Sequence, residues 1–226
     1  MSERRILRHQ VIEELRQLEA FEPSADMDIV WVLSNPGTVY KPSQDGVYKG
    51  DMADLRAVER GIEVVKQITG LRLGMDTAAV TPADIEVAGP ILYYNGEDES
   101  TTNVNYPQNQ DLMKMVSQPD SPIPKSKVVI GHIDRIGTPA QVEDFARYLE
   151  ESSISGKIPV VTSAEHSARV SRYLNHYKEL LPPDVTFVNA FFPETFNSVG
   201  KTKREISKII EYAEKGDLSR EPLDNF

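Results

Sequence analysis

The stretch Ile158-Pro159-Val160-Val161-Thr162-Ser163-Ala164-Glu165-His166, continued by Arg169 and Arg172, decides how the chain is read. A short β-branched run stops at Thr-Ser, and apolar residues then restart at a 3.6-residue rhythm with Val170, Leu174 and Tyr177. That pattern is a buried strand handing its end to a helix. Thr162 or Ser163 is placed to cap the helix with a hydroxyl, and the open amides of the first turn attract negative charge. His166 and Arg169, three apart, share one helical face, with Arg172 three further on.

Similar junctions recur along the chain. Asp28-Ile29-Val30-Trp31-Val32-Leu33 is a continuous apolar run closed by Ser34-Asn35-Pro36-Gly37-Thr38, which marks a first, central parallel strand. The polar 39–50 loop is long for a strand-to-helix connection and reads equally as a flap or a surface insertion. Met52, Leu55, Val58, Ile62, Val65 and Ile68 then hold a helical spacing, with Gly70 as its C-cap and Arg56 in its first two turns. Arg56 faces a ligand at the loop or pairs with an acid. Thr81-Pro82-Ala83-Asp84 opens a short helix that Gly89-Pro90 stops.

Ile91-Leu92-Tyr93-Tyr94 is the second strand, and a helix follows around 110–116. Val128-Val129-Ile130-Gly131 is the third strand. Thr138-Pro139-Ala140-Gln141 reads as a capping box, with Thr138 as N-cap and Val142, Phe145, Ala146 and Leu149 on the buried face. Val185-Thr186-Phe187-Val188 is the fifth strand, before a last amphipathic helix through Ile206, Ile209, Ile210 and Tyr212. Residues 217–226 read as a frayed tail. Strands alternating with helices imply one α/β domain over residues 1–226: a doubly wound, mostly parallel sheet of five or more strands, helices on both faces, Rossmann-like.

Composition narrows the function classes. The 226 residues carry a formal net charge of -10, which disfavours a nucleic-acid binder because phosphate needs a basic face. Cysteine is absent, so disulfides, thiolate nucleophiles and Cys-ligated metals are excluded. Residues 1–20 alternate charge and aliphatics as an amphipathic helix rather than a secretory signal, and no run has the length of a membrane span. A cytoplasmic location is the expectation; oligomeric state is not read from this pattern.

In a doubly wound sheet the ligand crevice lies at the carboxyl ends of the strands. That rule gathers Ser34, Asn35 and Thr38 after the first strand, and Asn95 and Glu97 after the second. It adds His132, Asp134, Arg135 and Thr138 after the third, with Thr138 and Gln141 positioning a ligand, and Thr162, Ser163 and His166 after the fourth. A first-turn His is kept neutral by the helix dipole, so His166 reads as a general acid/base oriented by Asp134 or Glu97, or else as a His bonded to a neighbouring loop. Ser163 lacks the elbow glycines of a hydrolase nucleophile. His132, Asp134, His166 and Glu97 could form an oxygen and nitrogen metal set, but without a tight His-x-x-x-His spacing no metal is expected. Arg169 is placed as an anion clamp; Arg172 fits either an anion or a salt bridge. Phosphate-loop and dinucleotide glycine motifs are missing.

The strand-T-S-x-x-H-x-x-R pattern of Val160-Val161-Thr162-Ser163, His166 and Arg169 resembles the C-terminal motif of the YdcF/SanA/ElyC-like family. Ser34-Asn35-Pro36-Gly37, Arg56, Asn95-Gly96 and Gly137-Thr138-Pro139-Ala140-Gln141 occupy the places of the family's other motifs, over residues 28–188. Only the last two motifs are specific, and the paired glycines usual after the first two strands are Ser34-Asn35 and Asn95-Gly96 here. The resemblance implies a Rossmann-like fold and S-adenosylmethionine as a candidate cofactor, with Glu97 and Asp98 as candidates for gripping a ribose. The leading expectation is a protein that binds a small anionic or nucleotide-like ligand, with His166 as acid/base if it is an enzyme. The alternatives are a non-catalytic binding or scaffold protein and, third, a metal-dependent hydrolase.

Overall fold

The computed structural model describes residues 3–34, 52–96, 108–133, 135, 137–192, 198–224 and 226. Asn35, Thr38, Glu97, Asp134 and the 39–50 loop lie outside the described residues. Five strands form one all-parallel sheet: β1 (Ile29–Val32), β2 (Ile91–Tyr94), β3 (Val128–Ile130), β4 (Gly156–Val161) and β5 (Val185–Asn189), in the order β3-β2-β1-β4-β5. The helices are α1 (Glu3–Arg16), α2 (Met52–Leu73), α3 (Pro82–Ala88), α4 (Gln108–Val116), α5 (Thr138–Ser152), α6 (Ala164–His176) and α7 (Ser198–Lys215). This is the doubly wound α/β, Rossmann-like architecture expected from the strand-helix alternation. No helix among the described residues is long and apolar enough to cross a membrane.

All four residues of β1 are fully buried, as a central strand covered on both faces requires. Val30 and Val32 pack with α2, α3 and α4 on one face; Ile29 and Trp31 pack with α5 and α6 on the other. Trp31 stacks on Phe145 of α5 with ring centroids 4.2 Å apart. Gly61 of α2 lies directly on the sheet, since a Cβ there would meet the Val32 side chain at 2.4 Å. A third cluster joins Leu7 and Val11 of α1 to Ala168 of α6 and Ile206, Ile209 and Ala213 of α7, so α1 and α7 form a flank on α6.

Three local expectations are corrected. Helix α2 continues through Gly70 to Leu73, and Gly74 takes the left-handed position, φ 65°. Met75 N–H donates to Gly70 C=O and Gly74 N–H to Leu71 C=O, the paired bonds of a Schellman end. At α5 the N-cap is Gly137, at φ 116°, without a side-chain cap; Thr138 is already helical and the Gln141 side chain points elsewhere. The tail is docked rather than frayed: Leu218 is buried, Leu223 and Phe226 pack on the α5–α6 core, and Leu223 N–H donates to Ser171 Oγ at 2.8 Å. By contrast, the Thr81–Asp84 capping box of α3 forms in full.

Candidate functional site

The strand order reverses between β1 and β4, and there the carboxyl ends of neighbouring strands leave to opposite sides. Leu33 N–H donates to Val161 C=O at 3.0 Å, which sets Ser34 beside Thr162 and Ser163 at the switch point. All three are buried. Ser163 is the N-cap of α6 by position, yet its hydroxyl makes no capping bond, and Thr162 Oγ1 instead shares a 3.0 Å hydrogen bond with His166 Nδ1. The expected hydroxyl cap is therefore corrected. Amides at the helix start have backbone partners: Ala164 N–H donates to Phe192 C=O, and His166 N–H to Ser163 C=O. They are spent within the fold, which weakens the first turn as a bare anion site.

His166 is only 1% exposed, and its Nε2 has no hydrogen-bond partner among the described residues. Burial, reinforced by the nearby Arg169 charge and opposed by Glu205, pushes its pKa down to about 3. The ring is thus neutral over the physiological range, as its place in the first turn suggested. Arg169 points to α7, where its Nε donates to Glu205 Oε2 at 2.6 Å; Lys208 Nζ donates to Glu205 Oε1 at 3.1 Å. Burial pushes the Glu205 carboxyl up, but the neighbouring His166, Arg169 and Lys208 outweigh it and hold it below its usual value. Glu205 and Lys208 were missed from sequence. The available signal was their i, i+3 spacing beside the buried Ile206 and Ile209 of α7.

Asn95 and Gln141 are together, but they bind each other's surroundings. Trp31 Nε1 donates to Asn95 Oδ1 at 3.0 Å, and Asn95 Nδ2 donates to Gln141 C=O at 2.7 Å and Asp144 Oδ2 at 3.2 Å. Gln141 Nε2 donates to the carbonyls of Ser34 (3.1 Å) and Asn95 (2.9 Å), stapling the ends of β1 and β2. Tyr93 OH donates to Asp144 Oδ2 at 2.5 Å, and the tyrosine pKa is raised by burial and by this bond. Such buried, mutually paired polar groups hold loops in place. The open atom of this network is Gln141 Oε1, buried without a partner among the described residues.

The remaining candidates separate. Thr138 is buried at the start of α5. The His132 side chain is exposed, while its N–H donates to Asp144 Oδ1 at 3.2 Å. Arg56 is half-buried on α2, beside Phe191 and Phe192 beyond the end of β5. Arg172, fully buried, is taken by Glu14: its Nη1 and Nη2 donate to the two carboxylate oxygens at 2.6 and 2.7 Å. This resolves its two readings in favour of the salt bridge. Among the described residues no group of three or more His, Cys, Asp or Glu side chains is gathered as a metal site.

A ribose grip of the kind S-adenosylmethionine calls for needs a carboxylate at the end of β2. Asn95 stands there, buried and bonded, and Asp144 nearby is committed to Tyr93, Asn95 and the His132 amide. The carboxylates expected to grip a ribose, Glu97 and Asp98, lie outside the described residues. Comparison with protein-family models, with curated proteins and with solved structures finds no match for this chain.

Proposed function

We propose that the chain is a cytoplasmic, YdcF-like protein that binds a small anionic or nucleotide-like ligand where β1 and β4 end. One observation supports this reading above the rest: a neutral, buried His166, oriented by Thr162, keeps Nε2 without a partner among the described residues at the fold's customary ligand position. Native folds seldom leave such an atom unsatisfied unless something else completes it. In an enzymatic version His166 moves a proton, and the negative charge of a bound anionic ligand raises the imidazole pKa toward a useful range. S-adenosylmethionine belongs to the ligand panel as one member of the class.

Calorimetric titration with adenosyl compounds, nucleotides and sugar phosphates tests the proposal. A binder whose affinity falls at least tenfold in His166→Ala, with the fold intact by circular dichroism, is the expected result. Failure of the whole panel to bind, or binding untouched by His166→Ala, overturns it. A non-catalytic binding role is the second reading. The engagement of Arg169 by Glu205 and of Asn95 by Gln141 favours it, because those side chains are held as structural partners. Bound ligand recovered chemically unchanged after prolonged incubation would select that version.

A further inference from the structure

A cavity of about 640 Å³ lies beside α2, lined by Arg56, Arg60, Phe21, Phe191 and Phe192 together with the acids Glu59 and Glu63, His166 not being among its lining residues. Its volume falls within the range of roughly 300–1,000 Å³ typical of small-molecule sites. Arg56 and Arg60 are one helical turn apart and both half-buried, so two positive charges face the same space. Like charges at this spacing repel, and an anion bound between them relieves the repulsion. Arg56 makes no ion pair with a described residue. Arg60 has one, Nη1 to Glu63 Oε2 at 2.8 Å, but its Nε is buried with no partner among the described residues.

Glu59 and Glu63 are exposed, where water screens their charge, and the Arg60 side chain, 16% exposed against 53% for Glu63, is the more buried of that pair. The opposite wall is aromatic. Phe21 already carries the Arg60 guanidinium at 5.9 Å from its ring centroid, Phe191 is half-buried, and Phe192 is anchored by its N–H bond to Thr162 C=O. A guanidinium pair offers a bidentate fork to a carboxylate or phosphate, and phenyl rings offer flat apolar contact.

We infer that this cavity is a binding site for a planar aromatic anion, its carboxylate or phosphate held by Arg56 and Arg60 and its ring against Phe21 and Phe191. The site stands independently of the one at His166. Calorimetry with 2-naphthyl phosphate, with 2-naphthol as the neutral analogue and inorganic phosphate alone, reads it directly. One equivalent of naphthyl phosphate should bind, at least tenfold more tightly than either control. Arg56→Met and Arg60→Met should each weaken it tenfold or more, Phe191→Ala should erase the preference over inorganic phosphate, and His166→Ala should leave it unchanged. Arg60→Lys, which keeps the charge, serves should Arg60→Met fail to fold, and is expected to retain part of the affinity. No binding to the native protein, equal binding of naphthol, or full affinity in both Met variants overturns the inference. So does loss of naphthyl phosphate binding in His166→Ala alone.

Discussion

At the scale of single residues, His166 is the group whose state most depends on the fold. Its pKa of about 3 in the folded chain lies below the 6.5 of a free imidazole. Between those values the unfolded chain binds a proton that the folded chain refuses. Its neutral burial therefore contributes full stability above about pH 6.5, lost progressively as pH falls toward the folded value. Glu205, held below the usual 4.5, adds a loss in the same direction but beginning lower. Replacing His166 with Gln removes the first effect and part of the second, since His166 is among the groups that hold Glu205 down. Between about pH 6 and pH 4, native stability should fall faster than that of His166→Gln by about 1.4 kcal/mol per pH unit; parallel urea-denaturation curves across that window would show that His166 is not buried as a neutral ring. The sequence showed that His166 and Arg169 share a helical face because that spacing is local. It could not show that Glu205, 36 residues on, neutralises Arg169, because that contact exists only once α7 packs on α6. For the same reason Asn95 and Gln141 read as ligand-binding residues: polar side chains at strand ends look alike whether they wait for a ligand or for each other.

At the scale of elements, apolar runs marked every strand, since strand burial is written in neighbouring residues; of the capping signals, that of Thr81–Asp84 formed as read, while those expected at α5 and α6 did not. Ends were less legible. Gly70 and Gly74 are both near the close of α2, and only the backbone at Gly74 shows which one turns left-handed. The tail was read as frayed because Leu218, Leu223 and Phe226 follow no period, yet each finds a place on a core that already exists. Its docking is also polar. Arg172 Nε donates to Arg220 C=O at 3.1 Å, and Asn175 Nδ2 donates to Ser219 Oγ at 3.0 Å and Glu221 C=O at 3.1 Å. The tail therefore acts as a strap over α6. Leu218→Ala should lower stability by about 2–3 kcal/mol through the cavity it leaves, and removal of residues 218–226 should cost more, because the buried Arg172 then loses the Arg220 carbonyl as an acceptor. Urea midpoints that stay at the native value in both variants would show that the strap carries no stability.

At the scale of the whole molecule, strand-helix alternation demands a parallel sheet but leaves the strand order open, because every strand here is an interchangeable apolar run. Packing selects the order. Trp31 must lie where Phe145 of α5 can stack on it and where Asn95 Oδ1 can accept its indole N–H, which draws β1 against β2 and under α5. The two large clusters lie on opposite faces of the same strands and share β1, so loss of β1 from the sheet would break both. The flank is tied in as well, with Glu14 of α1 on Arg172 of α6 and Arg220 of the tail on Glu3 at 2.9 Å. One cooperative unit follows from this arrangement. Trp31, the single tryptophan, reports the centre of the sheet by fluorescence, and far-ultraviolet circular dichroism reports the helices around it. The two urea transitions should superimpose, with one midpoint and one slope. A helical transition that precedes the tryptophan transition would mean that α1, α7 and the tail unfold as a separate unit, and that the three clusters do not share one stability.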